Sequence, residues 1–426
     1  MSESGSPASV PSAHRGTRPR GRSPFAAAAP SIALALVYAA ALLVWLAVGD
    51  RLPGGRWLAV HLFTLGVLTN LVLTFSEHFA RTVTRTPGER SWWWPAVTNV
   101  GIALVLVGLP ARWPWAVVAG SVVLTAVVFA AYRRLRRMRR EAVGARFAWI
   151  ARIYERAHGA FIHGAVLGGL LGAGVVAGTW HMGLRTAHLH ANVLGWGGLT
   201  LLATLVFFGP TMARTRIEPG ADDRAARALR HGATGLSAAV LLLIPTGVAG
   251  ALGTAARLGA AAGLAVLAWA TVRVCLPVAR AAWRAKPTAP RWPVVAVCAW
   301  FPAVVVADVV VVATGQWRWL DALGVAALAG VLGQAILATL TYLAPMLRGR
   351  STGHRDAVRA RLEVGAASRA LVFQVGVVLV VVAALGLAEG LPVAAVGWAL
   401  VMLPIMATAG AAAWRLPATA VAADGG

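Results

Sequence analysis

Long apolar segments alternate along the chain with short polar stretches in which arginine predominates. A helix that crosses the hydrocarbon core of a bilayer needs about 20 consecutive, mainly apolar residues. Twelve segments approach that length, at about 31–49, 57–78, 94–110, 114–132, 158–180, 188–210, 233–251, 256–279, 293–314, 320–345, 370–387 and 392–414. The pattern predicts an all-α integral membrane protein with twelve transmembrane helices within residues 31–414. Residues 1–30 are expected to form a disordered basic tail, and residues 415–426 a short second tail.

The amino-acid composition agrees with this pattern. Of 426 residues, 58% are hydrophobic and only 13% are charged, whereas about a quarter of the residues in a soluble domain are charged. The chain therefore lacks the polar surface of a soluble protein and the low hydrophobicity of a disordered one. Its two cysteines, Cys275 and Cys298, lie inside apolar runs, which excludes a disulfide scaffold.

The basic residues are distributed unevenly between alternate loops. Lysine and arginine number 39, and 32 of them fall on one side of the predicted membrane while 6 fall on the other. Because cytoplasmic loops carry the excess of these residues, both termini are predicted to be cytoplasmic. The densest run, Arg133–Arg140, is interpreted as a topology anchor that contacts anionic lipid headgroups. The expected partner is thus the lipid bilayer, and no nucleic-acid partner is expected.

Two segments match each other at a constant offset. GWGGLTLLATLVFFGPTMAR, from Gly195, aligns with GVLGQAILATLTYLAPMLRG, from Gly330, and a weaker match places HLFTLG at His61 over HANVLG at His190. The matching stretches belong to the second, sixth and tenth apolar segments, so the repeated unit is four helices used three times. The prediction is a pseudo-threefold bundle in which the tenth segment has no histidine.

Seven of the ten histidines lie in or beside three apolar segments, the second, fifth and sixth. The predicted topology sorts them into two layers. The outer layer contains His61, His181, His188 and His190, and the inner layer contains His78, His158 and His163. Ionisable residues at membrane depth are costly and usually functional. A single histidine near a helix end is more often an interfacial residue that bonds a headgroup or a carbonyl.

Imidazole is a leading ligand for haem iron and for copper. The candidate haem-binding residues are His61, His78, His158, His163, His188 and His190, and the candidate metal ligands are His61, His181, His188 and His190. Nearby glycines would let a flat macrocycle approach the backbone, or would serve close helix packing. His188 and His190 are about 200° apart around a regular helix, so each is expected to serve a different site, or one a cofactor and the other a loop contact.

Few other polar groups lie within the apolar segments. Glu77 is expected to orient the imidazole of His78, to relay a proton, or merely to mark a helix end. Asp308 is the only carboxylate well inside a segment, and a buried contact to Trp or Thr is its simplest explanation. Asn70 and Asn99 are candidates for a hydrogen bond between helices.

Two stretches carry a family resemblance: HLFTLGVLTNLVLTFSEHF, from His61, and AHLHANVLGWGGLTLLATLVFFGPTMARTR, from Ala187. They resemble haem–copper oxidase subunit I-like membrane proteins, including NnrS-like proteins and the membrane portion associated with actinobacterial copper nitrite reductases. The resemblance implies a pseudo-threefold twelve-helix bundle in a bacterial plasma membrane, with haem b and copper as cofactors. It also implies quinol, or a separate cupredoxin or cytochrome, as the redox partner. By the resemblance, the ligands would be His61, His78, His188 and His190.

The chain also departs from that family. A haem–copper oxidase has adjacent histidines in its seventh helix and paired histidines in its tenth, and the corresponding segments, from Gly232 and from Leu320, have none. A standard binuclear centre is therefore not expected. The resulting hypothesis is a haem- and copper-binding membrane protein in electron transfer or in nitrite and nitric oxide metabolism. The alternatives are a metal-ion or small-molecule transporter that uses the same histidines, and a purely structural membrane subunit.

Overall fold

The computed structural model describes residues 28–49, 53–87, 93–142, 146–348, 351–388 and 391–413. Within these ranges the chain is helical and contains no β-strand. The helices are α1 Ala29–Val48, α2 Gly55–Thr84, α3 Trp94–Gly108, α4 Pro114–Glu141, α5 Ala148–Gly172, α6 Thr179–Met212, α7 Ala221–Gly247, α8 Ala251–Arg284, α9 Arg291–Thr314, α10 Trp317–Arg348, α11 Thr352–Glu363, α12 Ala366–Ala384 and α13 Val393–Ala413. Nearly all of the two predicted tails lies outside the described residues.

Ten of these helices are long and apolar enough to cross a membrane, by length and composition. The ten are α1, α2, α4, α6, α7, α8, α9, α10, α12 and α13. Helix α3 is apolar but shorter, and α5 begins with the charged stretch around Glu155. The chain is therefore a multi-pass, all-α membrane protein. Helix α11 corresponds to none of the predicted segments, and it packs Val358 and Leu362 against the end of the bundle.

Helices α2, α6 and α10 each contain a π-helical segment, in which the backbone hydrogen bond spans five residues. The segments are Leu62–Leu68, Ala191–Gly198 and Ala326–Gly333. They begin directly after His61, His190 and Val325, which are the positions that the sequence correspondence aligns. π-Helical turns are rare and are frequent at functional sites. Their recurrence at one position in three helices is a structural counterpart of the sequence match.

The three π-helical segments meet at equivalent residues. Gly197 lies between Leu68 and Leu332. Each of these residues comes seven positions after the residue that precedes the π-helical segment of its own helix. A Cβ atom on Gly197 would lie 3.1 Å from Cδ1 of Leu332 and 3.2 Å from Cδ2 of Leu68. The glycine thus gives room for two leucines from the other two helices. We call this contact the axial contact.

An ionic contact joins the same three helices at the end of the bundle where arginine is scarce. Asp321 of α10 pairs with Arg56 of α2, at 3.3 Å, and with Arg185 of α6, at 3.8 Å. All three side chains are at least half exposed, so the pairs add little stability. The ion pairs instead show that equivalent positions of α2 and α6 meet the same residue of α10. Arg56 and Arg185 lie five residues before the aligned histidines, His61 and His190.

The opposite, arginine-rich end is held by buried carboxylates. Glu77 of α2 accepts from Arg81, at 2.6 Å, and from Arg134 of α4, at 3.1 Å. The Arg134 guanidinium also lies 4.1 Å from the ring centroid of Trp94 on α3. Both Glu77 oxygens therefore bond arginines at this end of the bundle, which favours the third role considered for Glu77, that of marking a helix end.

Two further expectations concern polar and small residues inside the bundle. Asn70 and Asn99 exchange reciprocal amide hydrogen bonds of 3.1 and 2.9 Å, so they join α2 to α3 as the sequence indicated. Gly66 packs directly on Tyr38 of α1, where an added Cβ would lie 2.4 Å from the ring. For Gly66, close helix packing is therefore the reason for the glycine.

The axial contact generates a stability prediction. Gly197→Leu forces a third large side chain between Leu68 and Leu332, and overpacking of this kind costs roughly 1–3 kcal/mol. We expect a clear fall in the melting temperature of the detergent-solubilised protein, measured by thermal denaturation. The matched control is Gly159→Leu on α5, where an added Cβ meets no heavy atom within 4 Å. Equal melting temperatures for the two variants would contradict the axial contact.

Candidate functional site

Four of the membrane histidines share one hydrogen-bonding pattern. In each, the Nδ1–H donates to the backbone carbonyl four residues earlier, at 2.7–2.8 Å. The four are His61, His158, His163 and His190. Because a carbonyl only accepts, Nδ1 must carry the hydrogen, and Nε2 is the nitrogen left for another partner. Metal-ligating histidines are typically oriented by such a bond from the second ring nitrogen.

His61 of α2 and His188 of α6 face each other near the arginine-poor end. Their ring centroids are 6.3 Å apart and the ring planes differ by only 18°. The Nδ1–H of His188 donates to the carbonyl of Gly164 on α5, at 2.7 Å. No hydrogen bond engages Nε2 of either ring among the described residues. The structure thus brings together two imidazoles from different helices, each with an available Nε2. We call them the imidazole pair.

Small residues on α5 make room for the second ring of this pair. A Cβ atom on Gly168 would lie 2.7 Å from Cε1 of His188, and one on Gly164 would lie 2.3 Å from the amide of Asn192. Asn192 in turn donates to the backbone carbonyl of His188, at 2.8 Å. The glycines of α5 therefore allow His188 to lie against the helix backbone.

An aromatic side chain covers the first ring of the pair. Trp57 stacks on His61 with ring centroids 4.1 Å apart and an angle of 23° between the planes. Its own backbone carbonyl accepts the Nδ1–H of His61. Trp57 thus fixes the His61 ring through both its carbonyl and its indole, and both rings of the pair are only partly exposed.

His190 takes part in a second, separate contact. Its Nε2 lies 2.9 Å from Oδ2 of Asp308 on α9, and both side chains are almost completely buried. Its Nδ1–H donates to the carbonyl of Thr186. Both ring nitrogens are therefore engaged. We call His190 and Asp308 the buried pair.

The buried pair lies beside a small cavity. The cavity offers about 20 Å³ to a water-sized molecule and is otherwise lined by apolar residues of α6, α9 and α10, such as Val193, Val304 and Gly324. Apart from the buried pair, no polar or charged residue lines it. A volume above roughly 15 Å³ holds one water molecule. The carboxylate of Asp308 and the ring of His190 are thus the polar groups that a molecule there would meet.

The structure separates His188 from His190 as the helical geometry predicted. Up to His190 the helix is regular, and the π-helical segment begins at the next residue. His188 lies toward α2 and α5, whereas His190 lies toward α9. The two histidines therefore belong to different contacts, one on each side of α6.

The remaining candidate histidines are scattered. His158 is buried, with its ring edge-on to Trp196 at 4.7 Å. His78 packs against Phe79 at 5.6 Å. His163 and His181 are exposed. Among the described residues, no three His, Cys, Asp or Glu side chains are grouped closely enough to hold a metal ion.

Asp308 is the functional candidate whose role the sequence did not indicate. Its position inside an apolar segment was visible, but its partner His190 lies 118 residues away. The expected contact to Trp or Thr is wrong, because the carboxylate bonds an imidazole. Only the packing of α9 on α6 identifies the partner.

No protein-family model matches this chain, and no curated protein matches it either.

The buried pair predicts a large cost for truncation of its acid. Asp308→Ala leaves the Nε2 of His190 buried without a partner, and breaking such a pair costs about 3–5 kcal/mol. Asp308→Asn retains an acceptor oxygen, so a smaller loss is expected. Thermal denaturation in detergent measures both. Asp356→Ala on the exposed face of α11 is the control, because its surface ion pair with Arg359 is worth little. An Asp308→Ala variant as stable as this control would contradict the buried pair.

Proposed function

We propose that the protein is a haem-binding membrane protein of electron transfer, in which His61 and His188 would hold a haem b. The observation that carries the proposal is the imidazole pair: two nearly parallel rings from different helices, 6.3 Å apart, each with Nδ1 bonded to a carbonyl. Neither Nε2 has a hydrogen-bond partner among the described residues, so both nitrogens would be available to hold the iron.

The residues around the imidazole pair fit an iron porphyrin in their chemistry. The ligands are neutral imidazoles oriented by carbonyls, which is the usual arrangement around a metal. Gly168 and Gly164 let His188 and Asn192 pack directly against the backbone of α5, and Trp57 covers His61. When bound, the haem would supply reversible one-electron chemistry. The protein's part would be to fix both rings, to exclude water and to hold the site at one end of α2 and α6.

Copper fits the described residues less well. The proposed set was His61, His181, His188 and His190, but His181 is exposed and His190 is bonded to Asp308. Two histidines remain, and no group of three ligands is present among the described residues. The described residues thus do not supply a complete ligand set for copper.

We place twelve helices across the membrane, α3 and α5 in addition to the ten that meet the length and composition criteria. The three π-helical segments and the axial contact support a pseudo-threefold arrangement of four-helix units, as in haem–copper oxidase subunit I. The arginine-rich end would face the cytoplasm of a bacterial cell. The redox partner would be quinol, or a separate cupredoxin or cytochrome.

Substitution of the axial histidines tests the proposal. The protein expressed with haem supply is expected to show a low-spin haem b spectrum in reduced-minus-oxidised absorption. His61→Ala and His188→Ala should each lose that spectrum, because one ligand of the iron is removed. His163→Ala is the matched control, because this exposed histidine of α5 makes the same carbonyl bond. A preparation without haem, or variants that keep the wild-type spectrum, would refute the assignment.

Carbon monoxide separates electron transfer from nitrogen-oxide chemistry. Two imidazole ligands leave the iron no open position for a diatomic molecule. The reduced spectrum should therefore be unchanged by carbon monoxide in an electron carrier. A shifted Soret band would instead favour a role in nitrite or nitric oxide metabolism, which rests on the family resemblance alone.

A metal-ion or small-molecule transporter remains the second hypothesis. It predicts uptake of a divalent cation into vesicles that contain the protein, with loss of uptake in His61→Ala and His190→Ala. Because transport of an ion needs a site with several ligands, and the described residues hold none with three, we rank it second.

A further inference from the structure

The segment of α6 that carries His188 is held from two sides. On one side His188 donates to Gly164 of α5 and faces His61 of α2. On the other side His190, two residues later, bonds Asp308 of α9. Directly after these contacts the helix changes from regular to π-helical geometry. The rotational setting of α6 at this level is thus defined by side chains on both faces.

Rotation of this segment would move both histidines together. The rings project about 200° apart around the same helix axis, so a turn that draws His190 away from α9 also moves His188 relative to α5 and α2. The buried pair resists that turn, because both of its side chains are almost completely buried and no other polar side chain lines the cavity to replace either partner. Asp308 is therefore placed to set the position of a ring that it does not touch.

The packing of α6 leaves little room for compensation. Gly168 lies so close to His188 that even a methyl group would overlap Cε1. Gly183 lies on α6, about one and a half turns before His188. It packs against the carbonyl of Ile244, where an added Cβ would be 2.0 Å away. A small rotation of α6 would therefore change the His188 ring plane rather than be absorbed by empty space.

We infer that Asp308 is a positioning residue for the haem site: through its bond to His190 it fixes α6 so that the ring of His188 stays nearly parallel to that of His61. The inference rests on the proposed function and adds to it a residue on α9. Outer groups that orient metal ligands typically contribute 10–100-fold in metal affinity. We accordingly expect Asp308→Ala to weaken haem binding about 10-fold and to change the low-spin spectrum of the bound haem.

The test is a double-mutant cycle on the haem-loaded protein. Haem affinity and the electron paramagnetic resonance spectrum are measured for wild type, Asp308→Ala, His190→Ala and the double variant. If Asp308 acts through His190, both single variants shift the spectrum alike and the double variant shifts it no further. Additive shifts, or an unchanged spectrum in Asp308→Ala, would overturn the inference.

Two further variants keep the result interpretable. Asp308→Asn retains an acceptor for His190 and is expected to restore most of the haem affinity and the wild-type spectrum. It replaces Asp308→Ala in the cycle if that variant does not fold. Tyr154→Phe removes the 2.9 Å bond between Tyr154 on α5 and Thr204 on α6. It should lower stability without altering the haem spectrum. If wild type binds no haem, the proposed function fails; if it binds haem and the cycle is additive, only the inference fails.

Discussion

Hydrogen bonding without water is the constraint on which the interior of this protein depends. In the hydrocarbon region a polar side chain must find its partner within the protein. The buried imidazoles meet this requirement by donating Nδ1–H to a carbonyl of their own helix or, for His188, of a neighbouring one. This bond fixes the tautomer and the ring orientation together. The chemistry available to each histidine is then decided by what lies near Nε2.

The side-chain surroundings differ between the aligned positions of the three π-helical helices. At His61 the neighbour is a second imidazole from α6. At His190 the neighbour is a carboxylate from α9. The third aligned residue is Val325, which has no polar side chain. The same backbone geometry thus occurs three times, and the aligned side chain has a different environment each time. Of the three aligned residues, only His61 lies next to a second imidazole.

Much of the fold could be predicted from the sequence, because hydrophobic length and loop charge are local properties. The apolar segments correspond to the long helices, and the weak match of His61 with His190 anticipated the register of the π-helical segments. Helix α11 was missed because its apolar positions form a narrow stripe among arginines. The Asn70–Asn99 contact was anticipated because two amides inside neighbouring apolar helices have few other partners.

The candidate site was only partly predictable. The separation of His188 from His190 followed from helical geometry, but the grouping of histidines by depth did not identify contacts. Depth alone placed His181 with His61, although His181 is exposed. Asp308 could not be assigned, since pairing across 118 residues depends on how α9 packs on α6. Side-chain contacts between distant helices are the information that a single sequence lacks.

The proposed haem site depends on His61 and His188 holding one haem with nearly parallel imidazole planes. Electron paramagnetic resonance of the oxidised protein tests it most directly, because the spectrum of a low-spin ferric haem depends on the angle between its two axial rings. The 18° angle predicts a rhombic low-spin signal that is lost in His188→Ala. A high-spin signal, a highly anisotropic signal typical of perpendicular rings, or the absence of haem would contradict this assignment.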